Sequence, residues 1–199
     1  MKRLFLVGLV LFFGSSALVF AQEQTERRRG LYLDVGLGLG GVSYFNGDTK
    51  AKADYFNNIA KSRETTDSFL LAIGWALTQD VYLVWAMSTV DDDYADAQLH
   101  RSQITINLWG VGARYYPLPS KKYLQLGLDV GLSRMVTTYY MQDIPDSSDG
   151  GLSGRLSVAC DFDTTMTGLT VLLGGSLMMN IIENDTSLAY ALFFKLAFK

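Results

Sequence analysis

The chain has 199 residues, of which 49% are hydrophobic, 19 are glycine and three are proline, with a formal net charge of −3. This is one domain of ordinary size, with charged residues at 19%, below the usual share. A single cysteine (Cys160) excludes an internal disulfide, a single histidine (His100) leaves no zinc-ligand spacing or cofactor motif, and the acidic balance speaks against nucleic acid as a partner.

Residues 1–21 read as an export signal. Met1-Lys2-Arg3 is basic, Leu4–Phe13 is an apolar run, and Gly14-Ser15-Ser16 follows. Val19 and Ala21 are small enough to flank a cleavage site, so Gln22 would begin the mature chain. The competing reading is an uncleaved anchor, because Leu4–Ala21 is about long enough to span a bilayer. Without Lys2 and Arg3, 15 basic and 20 acidic residues remain, a net charge of −5. Residues 22–199 are expected to form one domain.

Eight stretches of strand-like pattern follow, at roughly 31–45, 66–78, 80–90, 102–116, 122–141, 151–163, 167–181 and 187–199. In the first, Leu31, Leu33, Val35, Leu37 and Leu39 alternate with Tyr32, Asp34 and glycines. In the fifth, Leu124, Leu126, Leu128, Val130 and Leu132 alternate with Gln125, Gly127, Asp129 and Gly131. Alternate side chains of a strand point to opposite faces, so each stretch has one large apolar face and one small or polar face. The fourth stretch breaks this rule. Ile104, Ile106 and Leu108 share one parity, while Trp109, Val111, Ala113 and Tyr115 share the other. A bulge near Leu108 would reconcile them, because one extra residue switches faces.

The connections alternate between short and long. Thr78–Asp80, Pro117–Lys121 and Asp163–Met166 are tight; Asn46–Thr65, Asp91–Arg101, Gln142–Gly150 and Ile182–Thr186 are polar and longer on average. This is the pattern of an eight-stranded antiparallel up-and-down meander with both termini at the short-turn end. If closed into a barrel, about five large apolar residues per strand, about forty in all, exceed what an eight-stranded interior holds. The apolar stripe therefore faces outward, toward lipid. A soluble two-sheet sandwich is the main competitor. Against it stand strands long enough to cross a bilayer when tilted. Aromatics also collect near the strand ends, with Trp75, Tyr115, Phe162 and Phe198 at the short-turn end and Tyr44, Tyr139, Tyr140 and Tyr190 at the long-loop end.

"GLYLDVGLGLGG" at 30–41, "WGVGARYYPLPSKKYLQLGLDVG" at 109–131 and the terminal "LAYALFFKLAFK" resemble the small eight-stranded outer-membrane β-barrels of bacteria, the class of the OmpA, OmpX and OmpW barrels. The resemblance implies an all-β transmembrane barrel in the bacterial outer membrane. It also implies contact with outer-membrane lipid and recognition of the last strand by the barrel-assembly machinery. That family usually ends on the aromatic residue, whereas Lys199 follows Phe198 here.

With this register the lumen carries Asp34, Arg114, Asp129, Arg155, Asp161 and Lys195, three charges of each sign. Unpaired charges in a narrow tube are costly. The six are expected either to pair as a plug or to exchange partners as a gate. Leu70, Val84, Leu172, Met178 and Phe193 give part of the lumen an apolar lining, and the resemblance to OmpW implies a narrow apolar passage there.

Three further features invite functional readings. His100 and Ser102 form a His-x-Ser triplet of the kind some outer-membrane barrels use to deacylate lipid A, although Arg114 stands where an orienting acid is sought. "DDDYAD" at 91–96 and Asp143, Asp146 and Asp149 suggest cation binding, but neither follows the calcium-loop order, and solvated acidic loops are the default. Cys160 shares the outward parity and reads as a small apolar residue. The leading expectation is a non-enzymatic closed or narrow scaffold that displays its long loops for envelope integrity or adhesion, with an extracellular ligand at those loops. A narrow porin-like channel for small or hydrophobic solutes is the alternative, and lipid A deacylation is the third reading.

Overall fold

The computed structural model describes residues 30–78, 80–97, 100–117, 124–139, 146–147, 150–163 and 168–199. The export signal expected at 1–21, Tyr140, Asp143 and Asp149 lie outside them. The elements are β1 (Leu31–Asn46), α1 (Gly47–Ile59), β2 (Ser62–Ala76), β3 (Val81–Ala95), β4 (Arg101–Tyr115), β5 (Leu124–Thr138), the two-residue β6 (Asp146–Ser147), β7 (Gly151–Asp163), β8 (Leu169–Ile182) and β9 (Asp185–Phe198).

The eight long strands pair antiparallel with their sequence neighbours, and β1 pairs with β9 to close the ring. β6 only adds two residues to the upper edge of β5. Closure leaves no free edge, which a sheet facing hydrocarbon requires. The result is the expected eight-stranded antiparallel up-and-down barrel.

The alternation sorts the two faces as the glycine-rich pattern predicts. Outward side chains are large and apolar, with Leu192 at 76% and Trp75 at 67% exposed. On β9, Leu188, Tyr190, Leu192, Phe194, Leu196 and Phe198 share the outward parity, opposite to the buried Ala189, Ala191, Phe193, Lys195 and Ala197. Ten steps at ~3.4 Å, tilted by ~40°, give a belt about 26 Å tall, the height of the apolar band on outer-membrane barrels. The Tyr190 ring lies over Gly41 on the neighbouring strand, where any Cβ would sit 2.5 Å from its hydroxyl. Above the belt the outward positions turn polar: Thr89, Asp91 and Asp93 on β3, and Gln103, Thr105 and Asn107 on β4. Thr89 bonds Asn107 at 2.9 Å, and Thr105 bonds Asp91 at 2.8 Å.

Two expectations change here. β4 pairs with β3 and β5 without a register shift, so it has no bulge near Leu108. Ile104, Ile106 and Leu108 face inward because the upper lumen is itself an apolar core. The face switch occurs in β2 instead, between Asp67 and Phe69, where one extra residue shifts the register against both β1 and β3. The second change concerns the loops. The strands run further past the belt than the pattern suggested, so Asp91–Asp93 belong to β3 and Ile182–Asp185 closes as a tight turn. The Asn46–Thr65 connection holds α1.

Candidate functional site

The site is the lumen, built in three tiers. The lowest lies toward the short-turn end. Tyr32, Leu70, Ala72, Tyr82, Val84, Ala86, Tyr116, Ala159, Leu172, Phe193 and Ala197 pack as one buried cluster. The predicted lumen charges sit in this part of the barrel, all buried. Arg114 Nη1 lies 2.5 Å from Asp129 Oδ1, and Arg114 Nε lies 3.4 Å from Asp34 Oδ2. Arg155 reaches Asp129 Oδ2 through Nε and Nη2, each at 3.1 Å. Lys195 Nζ lies 3.7 Å from Asp34 Oδ2 and 4.4 Å from the centre of the Phe193 ring.

Neutral groups tie the network to the floor. Tyr32 donates to Asp34 at 2.9 Å. Gln125 Nε2 donates to the Tyr32 and Tyr116 hydroxyls at 2.9 and 2.7 Å. The structure thus brings five of the six predicted charges into one connected group. Asp161, the sixth, binds Lys199, whose Nζ also lies 4.4 Å from the Tyr116 ring centre. The residue that departs from the aromatic ending therefore turns inward and helps close the floor. Lys199 shares the parity of Lys195, and that was the signal available for it.

The middle tier is apolar. Val42, Val90, Ile106, Leu108, Met135, Met178, Ile182 and Ala189 fill it. Of the lining residues expected for an apolar passage, Met178 packs here, while Leu70, Val84, Leu172 and Phe193 pack in the tier below. All five are buried at 4% exposure or less, so each meets packed neighbours rather than an open bore.

The top tier is a polar hub beneath a helical cap, and pattern reasoning missed it. Asp92 is fully buried. It accepts bonds from Tyr44 (3.0 Å), Tyr94 (2.7 Å), Thr65 (2.8 Å), Arg63 Nε (2.8 Å) and Arg63 Nη2 (2.7 Å). Arg63 also donates to the Val42 carbonyl at 2.8 Å. The β2 bulge makes this geometry, because it turns Arg63 and Thr65 inward from the parity of the residues below. Glu64, Asp91 and Asp93 face outward at this level, so the hub stands above the apolar belt. Burial, then the Asp92 carboxylate, push the Tyr44 and Tyr94 phenols well above the ordinary range. The hydrogen bonds to Asp92 push the Arg63 guanidinium up.

This corrects the aromatic girdle. Trp75, Tyr115, Phe162 and Tyr190 face outward as expected. Tyr44 instead faces the hub, and Tyr139 packs against Phe56 of α1 with ring centroids 5.4 Å apart.

α1 lies across the mouth. Ala53 and Phe56 pack with Tyr94 and Ile104. Its N-terminus is capped in exchange with the β8–β9 turn. Asp185 accepts from Thr49 N (3.0 Å) and Thr49 Oγ1 (2.7 Å), while Asn46 Oδ1 accepts from Thr186 N (2.7 Å). A carboxylate there satisfies free amides and meets the helix dipole. Gly47 sits at φ +80°, and a Cβ would lie 1.8 Å from Asp185 Oδ1, so only glycine fits.

The His-x-Ser triplet lies at the start of β4, with a carboxylate beside His100 and Ser102 on the face away from lipid. Ser102 pairs with Tyr94 and shares the inward parity of Ile104. His100 Nδ1 lies 3.1 Å from Asp96 Oδ2, and its backbone amide donates to Asp96 Oδ1 at 2.9 Å. Cys160 faces outward as expected.

No protein-family model and no curated protein sequence matches the chain. Solved structures do. Neisserial surface protein A superposes with a TM-score of 0.58 at 12% identity, covering 86% of this chain and 99% of that one. Ail, the attachment invasion locus protein of Yersinia pestis, gives a TM-score of 0.53 at 10% identity, covering 84% of this chain and 97% of Ail. Closed ring, apolar exterior, a lumen holding buried ion pairs and these superpositions agree: the chain has the fold of the small eight-stranded outer-membrane β-barrels.

Proposed function

We propose that this protein is a non-enzymatic barrel of the bacterial outer membrane, closed through its lumen, that presents α1 and its long loops outside the cell for adhesion or envelope integrity. The observation that supports the reading is the burial of the described lumen residues. Arg114 and Asp129 are each 0% exposed, although they line the inside of the tube. A water-filled bore would leave such side chains wet. Two packed tiers and a capped mouth lie above them, and each would have to part for an ion to pass.

The display role rests on how α1 is held. Asp185 and the hub fix it on a rigid rim, while Tyr55 and Ile59 stay exposed on its free side. An extracellular ligand at these loops, outer-membrane lipid around the belt and the assembly machinery at β9 are the partners this reading needs. Two proteins of the same fold carry names that speak of attachment and of the surface, which accords with it. The test is conductance of the folded protein in a planar bilayer, with heat-modifiable gel migration establishing the fold. A folded barrel without discrete steps is the expected result. Reproducible unitary steps would overturn the closed scaffold in favour of a channel.

A further inference from the structure

We infer that the lower lumen holds a small dehydrated anion, of halide size, between Lys195 and Arg155. The argument begins with charge. The connected network contains three cations, Arg114, Arg155 and Lys195, and two carboxylates, Asp34 and Asp129. The nearby Asp161–Lys199 pair is neutral and leaves the excess unchanged. All five network residues are buried at 2% exposure or less, so bulk water does not screen the surplus positive charge.

Hydrogen bonding places the ligand. Arg114 spends Nη1 and Nη2 on Asp129 and directs Nε at Asp34. Arg155 spends Nε and Nη2 on Asp129, and its buried Nη1 has no acceptor. Lys195 Nζ is likewise buried without an acceptor. The Phe193 ring and Asp34 at 3.7 Å attract its charge, but neither takes a hydrogen bond from it. Two buried cationic donors without acceptors, inside a network one negative charge short, define what is missing: an acceptor that is also an anion. A water would satisfy the donors and leave the charge uncompensated. Asp34 Oδ1 is an unpaired acceptor in the same network.

The site is closed, so the anion would enter as the barrel folds. It would act as a built-in counter-ion, binding the folded state and not the unfolded one, which raises stability with anion concentration. The inference does not depend on what the loops do.

The test uses the protein crystallised from sodium bromide, with diffraction at the bromine edge. One anomalous peak in contact with Lys195 Nζ and Arg155 Nη1 is expected, and it should vanish in Lys195→Met. In solution, thermal unfolding of the wild type should rise in chloride relative to gluconate at equal ionic strength. Lys195→Met should show no such difference. A wild-type map without bromide at this position overturns the inference. So does a chloride dependence that is the same in both proteins. If Lys195→Met does not fold, the wild-type map alone decides.

Discussion

Removing the Asp129 carboxylate strands two buried guanidinium groups, and the cost can be worked from their remaining partners. In Asp129→Ala, Arg114 keeps Asp34 at 3.4 Å and the Ala113 carbonyl at 3.2 Å. Arg155 keeps no comparable contact to another protein group, because both of its short contacts are to Asp129. The full penalty of breaking a buried ion pair therefore falls on Arg155, about 3–5 kcal/mol, or a hundredfold to several thousandfold in the folding equilibrium. Asp129→Asn keeps an acceptor but loses the charge, and should cost about 1.5–3 kcal/mol. Replacing all three members together, by Asp129→Leu with Arg114→Met and Arg155→Met, removes the stranded charges and should bring stability back toward the wild type. The assay is denaturant unfolding in micelles, followed by tryptophan fluorescence and by gel mobility of folded against boiled protein. An Asp129→Ala barrel within about 1 kcal/mol of wild type would refute the reasoning, since a true buried pair cannot be broken so cheaply. A triple variant as damaged as the single one would place the loss in packing rather than in stranded charge.

Two further expectations concern the mouth. Gly47→Ala drives a Cβ into the Asp185 carboxylate at a left-handed backbone position and should release α1; trypsin should then cut the folded barrel at Lys50 and Lys52 faster than in wild type, and unchanged cleavage would count against the capping exchange. Tyr44 and Tyr94 should stay protonated as pH passes the ordinary phenol value of 10.0. Because their folded-state values are raised, their stabilisation is present below pH 10 and is lost as pH rises through the folded values. Absorbance at ~295 nm should therefore show Tyr44 and Tyr94 among the late-ionising phenols, and both should ionise at lower pH in Asp92→Ala, although burial still holds them above the ordinary value.

Much of the barrel was legible because its information is local. A period of two needs no knowledge of neighbours, and the volume of an eight-stranded tube then decides which face is outside. Asp34, Arg114, Asp129, Arg155, Asp161 and Lys195 were placed in the lumen by parity alone. What parity could not supply was who meets whom: Arg114 and Asp34 are 80 positions apart, and only the closed ring brings them within 3.4 Å. The bulge in β2 was hidden because Thr65, Thr66, Asp67 and Ser68 are all small or polar, so a change of face leaves no mark in their hydropathy. The apolar Ile104, Ile106 and Leu108 made the same ambiguity look like a bulge in β4. The hub shows the consequence most clearly. "DDD" at 91–93 reads as an acidic loop, yet the pleat sends Asp92 inward to five hydrogen bonds and its two neighbours outward to solvent. Sequence set the alternation, and with it the architecture. The tertiary structure decided the partners of each inward charge and how the mouth is shut, because those depend on ring closure and on one extra residue in β2.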